Sequence, residues 1–136
     1  MAHQHAQQVN LSQLGHSLGV NYKTVKNYMD TLTDFYMVRQ IELWAGNTRK
    51  RLVKAPKIYL RDTGLMHRLL NIADFDTLLG HPSIGSSWEG CIVENIINHL
   101  SGKWRYSYYR TNAQAEIDLL LEVLVGRCGL LKSSVR

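Results

Sequence analysis

Asn10-Leu11-Ser12-Gln13-Leu14-Gly15-His16-Ser17-Leu18-Gly19-Val20-Asn21-Tyr22-Lys23-Thr24-Val25-Lys26-Asn27 is the stretch from which the fold can be read. Leu11, Leu14 and Leu18 recur at helical spacing, Asn10 is placed to cap the start and Gly19 to end the helix. Asn21 caps a second helix running to about Thr33, with Val25, Tyr28, Met29 and Leu32 as its buried stripe. Two short helices joined by Gly19-Val20-Asn21 form a helix-turn-helix signature. Tyr22, Lys23, Lys26 and Asn27 avoid the apolar stripe. On a DNA-reading helix the lysines would meet phosphates, and Tyr22 or Asn27 would reach base edges. The competing reading is a protein-docking module whose lysines are simply solvated.

Outward from this pair, Phe35 to Leu43 alternates as a strand, with Tyr36, Val38, Gln40 and Glu42 opposite Met37, Arg39, Ile41 and Leu43. Ala45-Gly46-Asn47-Thr48 reads as a turn, and Arg51 to Leu60 as a second extended segment broken by Pro56. Helix, helix, strand, turn, strand is the order of a winged helix, its wing carrying Arg49, Lys50 and Arg51. Asp62 caps a helix through Leu70, and Asp74 to Leu79 is a further short one. His81-Pro82-Ser83-Ile84-Gly85-Ser86 is the best linker. A helix over 86–100 and strands over 104–110 and 115–125 follow, with a third short strand near Lys132. This gives a disordered tail over 1–9, a winged helix over 10–60, a helical connector over 61–80 and a partial α/β domain over 81–136. His3 and His5 fall in the tail.

In Ala115-Glu116-Ile117-Asp118-Leu119-Leu120-Leu121-Glu122, alternation places Glu116, Asp118 and Glu122 on one face of an otherwise apolar strand. Carboxylates there are costly unless a cation or polar partner meets them. Glu89 ends an apolar stripe of Ile92, Val93, Ile96 and Ile97, whereas Glu94 shares a face with Asn98 and is expected to look outward. Glu89, Asp118 and Lys132 together would suit Mg²⁺-assisted phosphodiester cleavage, with Asp118 as metal ligand. That chemistry wants an acidic residue two positions before the lysine, where Leu130 stands. An incomplete, non-catalytic site is therefore preferred to an active nuclease. Trp88, Trp104, Tyr106, Tyr108 and Tyr109 fit core and strand packing better than a base-stacking platform.

The chain has 136 residues and a net charge of +5, a balance that permits contact with nucleic acid. No apolar run approaches the ~20 residues of a membrane helix. The polar first residues are no secretory signal. Two cysteines, Cys91 and Cys128, cannot build a disulfide framework, and Cys91 among apolar neighbours reads as a buried free thiol. A reducing cytoplasm is the expected setting. The six histidines lack zinc-ligand spacing. There is no Gly-Lys-Ser/Thr phosphate loop.

Several segments carry a family resemblance: Ser12-Gln13-Leu14 with Leu18-Gly19-Val20; Thr24 to Asp30; Lys50 to Leu60; Asp62-Thr63-Gly64-Leu65; Gly85 to Gly90 with Glu94-Asn95; and Tyr109-Arg110 with Glu116-Ile117-Asp118. In this order they resemble the C-terminal region, a domain of unknown function, of prokaryotic AAA+ ATPases. The resemblance implies a winged helix followed by a restriction-endonuclease-like α/β domain, with an ATPase core upstream. It places Glu89 or Glu94, Asp118 and Lys132 at the nuclease-like positions. The ATPase core is absent and the sequence ends at Arg136, so a fragment is expected, with ATP entering only through another domain. The resulting expectation is a DNA-binding or regulatory region that has no cofactor of its own. The alternatives are a Mg²⁺-dependent nuclease, or a module docking on an ATPase core or a sister subunit.

Overall fold

A computed structural model of the chain describes residues 2–44, 46, 55–111, 115–124 and 132–134. The fold is α+β. A 3₁₀ turn (Ala2–Gln4) leads into β1 (Gln7–Gln8), α1 (Leu11–Leu18), α2 (Tyr22–Asp34), β2 (Val38–Ile41) and β3 (Lys57–Leu60). Then come α3 (Thr63–Leu69), α4 (Phe75–Leu79), α5 (Ile84–Asn98), β4 (Trp104–Arg110), β5 (Glu116–Val123) and β6 (Lys132–Ser134).

The helix ends follow local capping chemistry. Asn10 accepts from the Ser12 and Gln13 amides, Asn21 from Thr24, Asp62 from Leu65 and Asp74 from Thr77. Gly19 closes α1 at φ +67°, a conformation that favours glycine. Gly15 lets the turn close on α1, since a Cβ there would sit 2.7 Å from the Val20 carbonyl oxygen.

β1, β3 and β2 form one antiparallel sheet in that order, and β4, β5 and β6 another. A parallel bridge between Leu43 and Tyr108 links them, with the Trp44 amide donating to the Tyr108 carbonyl at 2.7 Å and the Tyr108 amide to the Glu42 carbonyl at 3.0 Å. β3 is buried on both faces. Its period of two sends Ile58 and Leu60 into a core with Val25, Met29, Val38 and Met66. Tyr59 enters a second core with Ile41, Val93, Ile97, Tyr108, Leu119 and Leu121. One strand thus serves as the wall of both cores.

Several expectations are corrected. Residues 2–9 are not a disordered tail: Gln7 and Gln8 pair with Ile58 and Lys57, and Ala2, His5, Ala6 and Val9 are buried. The edge of β3 supplies partners that their polar composition does not reveal. The linker at 81–86 is shorter than expected, because α5 begins at Ile84. Glu94 points inward. The buried positions of α5 are Ser87, Gly90, Val93, Glu94 and Ile97, one helical stripe. There Glu94 accepts from Arg39 at 2.7 and 2.8 Å and from Arg61, while Asn98 caps both guanidiniums. Burial alone would raise the Glu94 pKa, but the hydrogen bonds from Arg39 and Arg61 bring it below its ordinary value. Strand β2 is also shorter than the alternation suggested: Tyr36 takes φ +59° and turns the chain before Val38. Cys91 is half-buried, and Cys128 lies outside the described residues.

Replacing Glu94 with Ala should cost about 3 kcal/mol, because two guanidiniums lose their shared counter-charge. Urea denaturation reads this directly; a loss under about 0.5 kcal/mol would mark the cluster as a surface-type ion pair.

Candidate functional site

Two surfaces carry the residues singled out from sequence. The first is the outer face of α2. Val25 and Met29 are buried and fix the helix's rotation. Lys23 and Asn27 consequently face away from the core and Lys26 lies on the flank; Tyr22 is exposed at the helix start although it stands at i−3 to Val25, and Tyr28, expected in the buried stripe, is exposed as well. Lys26 is paired with Asp30 at 2.6 Å, one helical turn on. Arg49, Lys50 and Arg51 lie outside the described residues.

The second surface lies where β3, α5 and β5 meet. Lys57 projects from β3 on the Tyr59 side, and its side chain is only 5% exposed. Its ammonium donates to Glu116 of β5 at 2.6 Å, to Asp118 of β5 at 2.7 Å and to Glu89 of α5 at 3.2 Å. The Tyr59 hydroxyl donates to the same Glu89 oxygen at 2.6 Å. Arg110 stands 3.7 Å from Glu116. Three carboxylates thus face two cations. Burial by itself would lower the Lys57 pKa. The hydrogen bonds to Asp118 and Glu116 and the charge of Glu89 outweigh that, and the net direction is upward. Tyr59 is raised well above its ordinary range by burial and by Glu89. Beside this cluster lies a cleft of about 270 Å³, lined by Trp88, Ile92 and Ile96 together with Glu89 and Asp118.

Glu89 and Asp118 are brought together as the sequence suggested. Lys132, in β6, pairs through its backbone with Glu122 of β5, two positions along from Leu120; its side chain is outside the described residues, as is Leu130. Sequence reasoning missed Lys57 as the shared partner and Glu116 as the third carboxylate. The available signal was a lysine between Pro56 and the apolar run Ile58-Tyr59-Leu60, where a charge demands a counter-charge.

A Mg²⁺ ion does not fit this arrangement. Hard cations want converging oxygens and open positions, and here an ammonium stands where those oxygens converge. Among the described residues no three His, Cys, Asp or Glu side chains form a metal-holding group.

Because the Lys57 pKa is raised on folding, its contribution to stability is full below about 10.5 and is lost as pH rises above that value. The stability gap between the wild type and Lys57→Met should be flat from pH 7 to 10. It should then narrow by about 1.4 kcal/mol per pH unit. A gap that stays constant to pH 11.5 would contradict this charge assignment.

Comparison with known proteins adds a family. The chain is 44% identical over 123 residues to the uncharacterized protein Rv2008c of Mycobacterium tuberculosis, and equally so to the uncharacterized protein Mb2031c of Mycobacterium bovis. The match covers 90% of this chain but 28% of each relative, so the chain spans little more than a quarter of their length. No solved structure matches. No described helix is long and apolar enough to cross a membrane. The family model for a domain of unknown function, DUF8612, matches residues 1–76, and the chain belongs to that family.

Proposed function

We propose that this chain is a non-catalytic DNA-docking and regulatory region of a AAA+ ATPase-like protein, built as a winged helix set against a nuclease-like α/β unit. The observation that carries this reading is α2, on which Lys23, Lys26 and Asn27 are exposed together, with Tyr22 exposed at its start, while Val25 and Met29 anchor the helix. A net charge of +5 favours a polyanionic partner. The β1-β3-β2 sheet, with α1 and α2 inserted between β1 and β2, fits a winged helix, and in sequence Arg49, Lys50 and Arg51 fall between β2 and β3, where a wing belongs. Docking on DNA would be driven by phosphate neutralisation, with low sequence preference.

The non-catalytic part of the reading is supported by Lys57, which engages Glu89, Glu116 and Asp118 at once. In the two mycobacterial relatives the matched region is a minor part of a longer protein. That agrees with a role beside another domain, for which an ATPase core is our candidate.

Anisotropy of a labelled duplex, followed from 50 to 200 mM salt with Mg²⁺ present, tests both parts. Binding should weaken steeply with salt, and Lys23→Ala with Lys26→Ala should lower the slope by about 0.9 for each phosphate no longer neutralised. An unchanged slope would remove α2 from the interface. Absence of binding at 50 mM salt would favour a protein-docking module, and cut DNA would refute the non-catalytic assignment.

A further inference from the structure

Residues 2–9 are held across β3 by a titratable side chain. His5 is 2% exposed, and its Nδ1 accepts a hydrogen bond from the Leu60 amide at 3.0 Å. A backbone N–H can only donate, so Nδ1 must carry its lone pair and the ring proton must sit on Nε2. Here the imidazole does the work of a strand carbonyl, at the point where the chain leaves the ladder through Ala6 at φ +58°. Beside the Gln7–Ile58 and Gln8–Lys57 ladder, the Ala6 amide donates to the Ile58 carbonyl at 2.8 Å and the Val9 amide to the Pro56 carbonyl at 3.1 Å.

The opposite edge of the ring meets α5. A Cβ on Gly90 would lie 2.2 Å from Nε2, so the glycine is what admits the imidazole. Nε2 faces the Ser86 carbonyl without a well-formed hydrogen bond to it. The Tyr59 ring stands edge-on at 5.6 Å. The titratable neighbours are His67 of α3, and His3 and His81, which line one cavity with His5. On the adjoining part of α5, the Glu89 carboxylate is engaged by Lys57 and Tyr59.

We propose that residues 2–9 form a pH-released strap, docked while His5 is neutral and let go when His5 takes a second proton. That proton would go on Nδ1, directly opposite the Leu60 N–H. The hydrogen bond is then lost and two donors face each other, with a cation buried among histidines. Release bares the edge of β3, the strand that carries Lys57 and Tyr59.

The sign follows from burial, which lowers the His5 pKa, with His67 adding to the lowering and the Ser86 carbonyl partly opposing it. Docking is therefore fully favoured above the ordinary value of 6.5 and weakens as pH falls below it. Hydrogen exchange of the whole chain, corrected for intrinsic rates, reads the strap through the amides of residues 6–9 and Leu60. Between pH 7.5 and 5.5 the opening constant should rise by up to about tenfold. His5→Asn keeps an acceptor near Nδ1 but cannot titrate, and should show no such rise. Gly90→Ala should open the strap at both pH values. NMR titration of the wild-type His5 ring gives an independent reading, with the Leu60 amide shift moving in step. The proposal is overturned by a wild-type strap that is equally protected at both pH values, by His5→Asn retaining the full rise, or by a Leu60 shift that ignores the His5 titration.

Discussion

The ammonium of Lys57 is the point on which the two halves of the molecule meet. It leaves a strand shared by both cores and reaches carboxylates on α5 and β5. A buried lysine without such partners would shed its proton or unfold its surroundings. Three carboxylates so close together would likewise repel one another without a cation between them. Each side of the cluster requires the other. The interaction therefore specifies how the helical half sits on the sheet, whatever its net energy against an apolar replacement.

The other inter-element contacts reinforce that arrangement. Glu94 ties α5 to β2 and to Arg61 just beyond β3, through two guanidiniums that share one carboxylate. The Leu43–Tyr108 bridge aligns the two sheets. Tyr108, fully buried, donates its hydroxyl to the Ala55 carbonyl just ahead of β3. His5 fastens the opposite edge of the same strand. β3 is thus held by its edges, by its polar face and by both cores, while the outer face of α2 takes no part in these contacts. Under the proposed function, a rigid base presents the exposed lysines of α2, and the carboxylates gathered on Lys57 serve the fold.

What could be read from sequence divides along the line between local and distant contacts. The caps at Asn10, Asn21 and Asp62 were legible because each acts on an amide two or three residues away. The alternation of Val38 and Gln40 against Arg39 and Ile41 was legible because a strand has a fixed period. The joint appearance of Glu89 and Asp118 was anticipated because charges within apolar patterns must be matched. Lys57 was hidden, since its partners lie 32, 59 and 61 residues further along the chain. Glu94 was assigned to the wrong face for the same reason, its guanidiniums coming from Arg39 and Arg61. The strap was hidden because its polar sequence docks through backbone pairing and one imidazole, neither of which leaves a hydropathy signal.

The most direct test of this account is a double-mutant cycle between Lys57→Met and Asp118→Asn, measured by urea denaturation at pH 7. If the ammonium binds β5 to β3 as the structure shows, the two losses will be non-additive, with a coupling of about 1–3 kcal/mol. Additive losses, with coupling below about 0.3 kcal/mol, would contradict it.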